Sequence, residues 1–100
     1  MLTVFQKKIS IELIQQNVSS YFNLTVSEMA APRRSINIAR PRQIAMYLSK
    51  EITSFSYPEI GKAFGGKDHT TIMHAVKKIE SLSDKDLKLK KDLIELRKLI

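Results

Sequence analysis

Cysteine is absent from this sequence of 100 residues. Its absence excludes a disulfide-bonded scaffold and a cysteine-based zinc site, and it fits a reducing cytosol. No apolar run approaches the ~20 residues that are needed to cross a membrane. The polar residues Gln15, Gln16 and Asn17 also interrupt the N-terminal stretch, which argues against a signal peptide. We therefore expect a cytoplasmic protein without a transmembrane segment.

Strand-like alternation, internal repeats and low-complexity segments are missing as well. The chain instead contains 43% apolar residues, enough for one domain to bury a core without metal or disulfide help. Apolar positions recur at helical spacing from Ile11 onwards, whereas residues 1–8 show no strong pattern. The sequence predicts a linker remnant over residues 1–8 and a compact all-α domain of five to six helices over residues 9–100.

Positive charge is concentrated in the middle of the chain. Residues 33–78 carry nine basic and three acidic side chains, which accounts for +6 of the total charge of +7. A charge excess that is confined to one segment indicates a surface that faces a polyanion. A solvated basic face with no partner is the alternative, and charge alone leaves both open.

Capping residues indicate where the first helices begin and end. Ser10 predicts the start of a first helix, and Asn23 can end that helix in the left-handed conformation. Residues 25–28 have the form of a capping box, which predicts a short second helix. A basic loop over residues 33–38 should follow, with Pro41 in the first turn of the third helix.

A helix-turn-helix is the clearest pattern in the second half of the chain. A capping box over residues 56–59 opens a short helix that ends at the glycine pair 65–66. Asp68 then caps a helix over residues 68–82, and a last helix should start at residue 83 or 84. In this motif the second helix enters the major groove of DNA and reads bases with its N-terminal residues.

The first turn of the 68–82 helix carries side chains that suit DNA bases. Thr70 and Thr71 offer hydroxyls to base edges or phosphates and methyl groups to thymine, and His69 can donate or accept. Phosphates would repel Asp68, so non-specific binding would be better without it. Besides capping the helix, Asp68 therefore makes sense as an acceptor for the amino group of cytosine or adenine.

Basic side chains around this helix are candidates for phosphate or minor-groove contacts. Three lysines can meet phosphates that flank the groove: Lys67, Lys77 and Lys78. The loop Arg33-Arg34-Ser35 can reach a narrow minor groove, although a solvated loop has the same composition. Arg40 and Arg42 would lie unfavourably at the start of a helix dipole, and a phosphate is the simplest compensation.

Enzyme and metal sites find no support in the spacing of the residues. Residues 61–68 nearly match the phosphate-binding loop G-x-x-x-x-G-K-[ST], but Asp68 replaces the hydroxyl residue and the stretch follows a helix. His69 and His74 lie about 140° apart around a helix and cannot share a metal. No Ser/His/Asp or Cys/His arrangement is supported. We therefore expect no catalytic residue, no metal site and no cofactor in this chain.

Four stretches together resemble one known family. The run from Gly65 to Glu80 (GGKDHTTIMHAVKKIE) resembles the signature of the C-terminal DNA-binding domain in the DnaA family of bacterial chromosomal replication initiators. Residues 33–35, 39–46 and 58–61 agree with that family in order and spacing. The resemblance spans residues 9–100 and is dense over residues 33–82.

The resemblance implies a Trp-repressor-like helix-turn-helix domain that binds double-stranded DNA at the DnaA boxes of a replication origin. The domain would recruit the initiator for chromosomal DNA replication. By position in the family, the resemblance implies base contacts by Arg34 in the minor groove and by Pro58, Asp68, His69, Thr70 and Thr71 in the major groove. It also implies contacts at or near phosphates by Arg42, Gln43, Lys50, Lys67 and Lys78, to which the flanking charge of Lys77 adds a candidate.

The chain also departs from the family pattern. Pro32, Ile36 and Asn37 stand where many members have further basic residues, so Arg34 has fewer basic neighbours to share the attraction to DNA. Lys67 replaces a common arginine, a change that a phosphate contact tolerates. The family's ATPase domain is not matched, so we expect the ATP site in the rest of the initiator, N-terminal to this chain. The domain itself should be monomeric and associated with the nucleoid.

The residues alone leave two other functions open. A transcription regulator of the Trp-repressor type would need a dimer and a palindromic site. A helical protein-interaction module would instead offer its basic face to an acidic partner. Preference for an origin duplex over random duplex, measured together with oligomeric state, separates these functions.

Overall fold

Six α-helices make up the described part of the chain. The structure is a computed structural model that describes residues 9–100, and within that range it contains no strand. The helices are α1 (Ile11–Tyr21), α2 (Val26–Ala30), α3 (Ile36–Ile52), α4 (Tyr57–Ala63), α5 (His69–Ser83) and α6 (Leu87–Leu99). The all-α prediction is confirmed, whereas the linker predicted over residues 1–8 lies outside the described residues.

Three predicted helix starts form the expected hydrogen bonds. The hydroxyl of Ser10 accepts from the amide three residues further on, at 3.0 Å. In α2 and α4 the cap hydroxyls of Thr25 and Ser56 accept from the amides of Glu28 and Glu59. The two glutamate carboxylates in turn accept from the cap amides, which completes both capping boxes. These short helices therefore begin where their own side chains fix them.

The predicted start of the third helix is wrong. α3 begins at Ile36, so residues 36–38 are helical and Pro41 lies inside the helix instead of in its first turn. Pro41 has no amide hydrogen to donate to the carbonyl of Asn37, which costs the helix one internal bond. Because Pro41 is buried and α3 packs against four other helices, tertiary packing offsets that loss.

The predicted start of the last helix is also wrong. α6 begins at Leu87, and its N-cap is Asp86, whose side chain accepts from the amide of Leu89 at 3.1 Å. The amides of Lys85 and Asp86 both donate to the carbonyl of Leu82. This turn occupies the residues that had been expected to open the helix, so α6 starts three residues later than Asp84.

The core is built around α3, which packs against α1, α2, α4 and α5, while α6 packs against α1 and α5. All six helices contribute buried apolar side chains, among them Ile14, Met29, Leu48, Ile60, Ile79 and Leu93. The stripe predicted for α5 is buried at Ile72, Ala75, Val76 and Ile79, and Leu82 is partly buried. Burial of this stripe leaves the opposite face of α5 to solvent.

Glycines shape the turn between α4 and α5. Gly65 and Gly66 have φ angles of 84° and 78°, in the left-handed region that costs other residues ~1–2 kcal/mol each. At Gly61 the requirement is space, because an added Cβ would collide with the carbonyl oxygen of Lys67. The amide of Lys67 also donates to the carbonyl of Gly61 at 2.8 Å. The turn is therefore folded directly onto the backbone of α4.

A buried acidic side chain joins the first and last helices. Asp92 is 8% exposed, and its Oδ1 accepts from the hydroxyl of Tyr21 at 2.8 Å. The ammonium of Lys88 lies 3.2 Å from the other carboxylate oxygen. The hydrogen bond to Asp92, together with burial, raises the pKa of Tyr21 to about 12. The fold therefore favours the neutral phenol.

Replacing Gly61 with alanine should destabilise the domain by about 1–3 kcal/mol, because the methyl group must displace the backbone of the turn. Urea unfolding followed by circular dichroism measures this change. Lys62→Ala, at the neighbouring exposed position, is the control and should change the free energy of unfolding by less than about 0.5 kcal/mol. Equal unfolding midpoints for Gly61→Ala and the wild type would contradict the close approach.

The contact between Tyr21 and Asp92 should contribute stability that is fully present below a pH of about 10. The unfolded chain releases this phenol proton near that pH, whereas the folded chain holds it up to about 12. The stability advantage of the wild type over Tyr21→Phe should therefore shrink as pH rises through this window. Denaturant unfolding of both proteins at several pH values measures it. A constant difference would rule out the contact.

Candidate nucleic-acid interface

α4, the glycine turn and α5 form the predicted helix-turn-helix. α4 packs against α5, and α3 packs against both. The four residues from Asp68 to Thr71, at the start of α5, are all exposed, while the buried stripe of the helix faces the core. The fold thus presents the N-terminal turn of α5 to solvent, as a helix that enters a DNA groove requires.

Asp68, His69 and Thr70 form one cluster at this turn. The hydroxyl of Thr70 donates to Oδ2 of Asp68 at 2.8 Å, and Nδ1 of His69 lies 3.2 Å from Oδ1. The bond from Thr70 is the main cause of a lowered pKa for Asp68, and the neighbouring imidazole adds to it. The carboxylate is therefore ionised at neutral pH and can only accept hydrogen bonds.

The capping prediction for Asp68 is right about the position and wrong about the bond. Asp68 is the N-cap of α5, with extended backbone at φ −63° and ψ 145°, but its side chain accepts no cap hydrogen bond. The hydroxyl of Thr70 and the ring of His69 engage the carboxylate instead. The carboxylate therefore engages its exposed neighbours most closely, and weaker contacts with the backbone amides of His69 and Thr70 also help to lower its pKa.

His74, Lys77 and Lys78 extend the exposed face of α5 beyond Thr70. They follow Thr70 at helical spacing, opposite the buried stripe. Lys77 and Lys78 are predicted phosphate contacts, and the helix places them on the same face as Thr70 in its first turn. His74 is not among the predicted contacts, although its spacing of four residues from Thr70 is the signal that places it there.

Pro58 and Lys67 line one shallow cleft between α4 and the turn, together with Glu59, Lys62 and Gly66. The structure thus brings a predicted base contact and a predicted phosphate contact together. Lys62 is exposed and belongs to the same cleft, although it was not predicted as a contact. It lies four residues after Pro58, so helical spacing again carries the signal.

Lys50 is held beside the start of α4. Its ammonium lies 4.6 Å from the ring centre of Tyr57 and donates to the carbonyl of Phe55 at 3.3 Å. A cation over an aromatic ring is attracted by the electron density of the ring face. The contact places the charge of Lys50 against Tyr57, the first residue of α4, which directly precedes Pro58 in the chain.

Arg34 is exposed on the loop between α2 and α3, two residues before α3 begins. Arg42 reaches this loop from α3, and its guanidinium donates to three backbone carbonyls within residues 29–33. The adjacent Gln43 is partly buried, and its Oε1 is enclosed without a hydrogen-bond partner in the described part of the chain.

The predicted placement of Arg40 and Arg42 at the start of a helix is wrong. Because α3 begins at Ile36, both arginines lie beyond its first turn, where the unfavourable effect of the helix dipole fades. The helix dipole therefore gives no reason to place a phosphate at either arginine. Arg42 finds its partners in the backbone of a neighbouring helix and loop.

The basic side chains of residues 33–78 are not neutralised within the domain. Among residues 9–100, none of these nine side chains forms an ion pair with a carboxylate. The three acidic side chains of the segment are engaged elsewhere: Glu51 pairs with Arg97, Glu59 accepts from its helix cap, and Asp68 accepts from Thr70. The segment therefore keeps a positive field that attracts a polyanion.

The near match to a phosphate-binding loop does not make a nucleotide site. The amides of Gly66 and Lys67 donate to the carbonyls of Lys62 and Gly61, so they do not point outwards to cradle a phosphate. Within the described residues, no group of His, Asp or Glu side chains is arranged to hold a metal ion. No helix in that range is long and apolar enough to cross a membrane.

These features define a helix-turn-helix domain with an exposed polar turn and an excess of basic side chains. Comparison with known proteins identifies its family. Residues 11–79 match the family described as the bacterial dnaA protein helix-turn-helix. The chromosomal replication initiator protein DnaA of Ehrlichia ruminantium (strain Gardel) is 51% identical over 100 residues, and that of Roseobacter denitrificans is 52% identical over 97 residues. The chain belongs to the bacterial DnaA helix-turn-helix family.

The chain corresponds to only part of these relatives. The two alignments cover 100% and 97% of this chain but 22% and 21% of the relatives, so the chain spans about a fifth of their length. A crystal structure described as a DNA replication initiation factor has a TM-score of 0.79 and 31% identity. That similarity covers 89% of this chain and 27% of the other, and it agrees with the all-α helix-turn-helix fold.

Replacing Thr70 with valine should raise the pKa of Asp68, because the hydroxyl that donates to the carboxylate is lost. A carbon-13 NMR titration of the side-chain carboxyl measures this pKa. Thr71→Val is the matched control, since its hydroxyl makes no bond to Asp68, and it should leave the titration unchanged. A titration of Asp68 that is the same in all three proteins would contradict the cluster.

Proposed function

We propose that this domain binds double-stranded DNA sequence-specifically at the DnaA boxes of a replication origin. It thereby recruits the initiator for chromosomal DNA replication. One observation carries the proposal. An exposed polar turn, Asp68 to Thr71, opens a helix in a domain whose residues 33–78 keep nine basic side chains without carboxylate partners among the described residues. The names of the two curated relatives described above, both chromosomal replication initiator proteins, support this choice of target.

The first turn of α5 supplies the base contacts in the major groove. The ionised carboxylate of Asp68 accepts from an amino group of cytosine or adenine, the only base-edge donors in that groove. His69, Thr70 and Thr71 add hydrogen bonds and methyl contacts. Pro58, exposed at the start of α4, packs against a thymine methyl group. Selectivity comes from these groups, because none of them is a lysine or arginine that phosphate attracts regardless of sequence.

The minor groove is read by Arg34. Its loop is exposed between α2 and α3, and an arginine in a narrow minor groove responds to the negative potential of A·T-rich sequence. Phosphate contacts come from Gln43, Lys50, Lys67, Lys77 and Lys78. We add Lys62 and His74 to this surface, because Lys62 lines the cleft beside Pro58 and His74 lies on the outward face of α5.

The domain binds DNA and catalyses no reaction. In this account the domain acts as a monomer on DNA and holds no cofactor. The ATP site and the other activities of the initiator belong to the remainder of that protein, N-terminal to this chain. Its place of action is the nucleoid in the cytoplasm.

Competition between two duplexes tests the proposal. The chain is titrated into a labelled duplex that contains one DnaA box, and unlabelled box or scrambled duplex of equal length competes at moderate salt. The box should compete at least tenfold better, since specific sites exceed non-specific DNA by roughly 10³-fold or more. Equal competition would refute sequence-specific binding. Sedimentation of the complex should show one chain per box, whereas a dimer would favour a Trp-repressor-type regulator.

Single substitutions distinguish residues that contact bases from residues that contact phosphates. His69→Ala should weaken binding to the box by about 1–3 kcal/mol and hardly change binding to scrambled DNA. Lys78→Ala, the comparison variant on the same helix, should weaken binding to both duplexes about equally, because a phosphate contact carries no sequence information. Fluorescence anisotropy with the two duplexes measures both. An equal loss on both duplexes for His69→Ala would remove it from the base contacts.

Salt dependence tests the phosphate contacts as a group. If about five phosphates are neutralised, log K should fall with log[salt] at a slope of roughly −4 to −5. Repeating the anisotropy titration between low and moderate salt gives this slope. A nearly flat response would leave the basic surface without a role in DNA binding.

A further inference from the structure

The guanidinium of Arg42 joins three parts of the backbone that are close in space. One terminal nitrogen, Nη1, donates to the carbonyls of Met29 at 3.3 Å and Ala31 at 2.7 Å. The other, Nη2, donates to the carbonyl of Arg33 at 2.9 Å. We call this set of hydrogen bonds the Arg42 clamp. It ties α3 to the end of α2 and to the loop that carries Arg34.

The acceptors explain why an arginine stands at this position. Met29 lies in the last turn of α2 and Ala31 is its C-cap, so their carbonyls lie beyond the last internal bonds of the helix, and the Ala31 carbonyl also accepts from the amide of Arg33 at 2.7 Å. A cation there also meets the negative end of the helix dipole. The planar fork of arginine reaches several acceptors at once, whereas the single ammonium of lysine cannot reproduce that geometry.

The third acceptor bears directly on Arg34. The carbonyl of Arg33 belongs to the peptide group that joins Arg33 to Arg34, so its hydrogen bond to Arg42 fixes the plane from which the Arg34 backbone continues. Other restraints on this loop are few. The hydroxyl of Ser35 makes no cap bond, and within the described residues only Arg42 sends side-chain hydrogen bonds to residues 31–35.

We infer that Arg42 is a positioning residue for minor-groove recognition: it holds the loop so that Arg34 meets the groove while α5 occupies the adjacent major groove. This inference rests on the proposed function. In place of the phosphate contact expected for Arg42, it assigns the terminal nitrogens to the backbone, where three of their four hydrogens are engaged with carbonyls. The charge of Arg42 stabilises the C-terminal end of α2, and Arg34 makes the contact with DNA.

Inosine substitution isolates the minor groove. In box duplexes, each A·T pair in turn is replaced by I·C or by G·C. These two pairs look alike in the major groove, and only G·C adds an amino group in the minor groove. For the wild type, the pair that Arg34 meets should show an I·C over G·C preference on the order of tenfold. Arg34→Ala should abolish the preference.

Arg42→Lys is the decisive variant because it keeps the charge and loses the fork. It should reduce the I·C preference at least threefold and leave His69-dependent discrimination of box from scrambled duplex in place. In the Arg34→Ala background, Arg42→Lys should have no further effect on affinity. Lys91→Ala, an exposed basic position on α6, is the control and should keep the full preference. Circular dichroism verifies that each variant is folded.

Two results with Arg42→Lys would overturn the inference. One is an undiminished I·C preference in Arg42→Lys. The other is a loss of affinity in Arg42→Lys that is the same with and without Arg34. A wild type that prefers I·C nowhere but still selects the box would also reject it while leaving the proposed function intact. A wild type that fails to select the box at all would reject the proposed function itself.

The wild-type protein gives a second readout that needs no folded variant. The guanidinium N–H signals of Arg42 should be protected from solvent exchange in the unbound domain and should stay protected, with little shift, when the box duplex binds. Loss of protection or a large shift on DNA would mean that Arg42 leaves the backbone for a phosphate, and the positioning role would be rejected.

Discussion

The carbonyl oxygen of Gly61 accepts a hydrogen bond from the amide of Lys67, and the carbonyl oxygen of Lys67 lies where a side chain on residue 61 would have to go. This contact folds the α4–α5 turn back onto α4. Gly65 and Gly66 make the reversal possible with their positive φ angles. The direction of α5, the exposure of its first turn and the cleft beside Pro58 all depend on that close approach.

The same fold treats acidic and basic side chains differently. Several carboxylates have partners within the domain, whereas the basic side chains of the middle segment do not pair with carboxylates among the residues that the structure describes. The carboxylates of Glu51 and Glu59 are taken up by an ion pair and by a helix cap, and Asp92 is buried against Tyr21. The basic side chains of residues 33–78 have no carboxylate partners in the described part of the chain. Phosphate attraction and base selection can therefore come from neighbouring but different side chains.

The sequence predicts features that depend on local chemistry and misses those that depend on tertiary packing. Capping boxes and glycine signals place α2, α4 and α5 correctly, because each is fixed by residues within a few positions. The prediction from Pro41 puts the start of α3 too late. A proline favours the first turn of a helix, but packing against other helices can place it further inside. The role of Arg42 is invisible in the sequence, because its three acceptors lie 9 to 13 residues away across a helix contact.

We propose that the first turn of α5 reads bases in the major groove while Arg34 enters the adjacent minor groove. A crystal structure of this domain bound to a duplex with one DnaA box tests it most directly. The account predicts side chains of Asp68, His69 and Thr70 within hydrogen-bonding distance of base edges, and the Arg34 guanidinium between the minor-groove walls. A complex in which α5 touches only phosphates, or faces away from the duplex, would contradict the account.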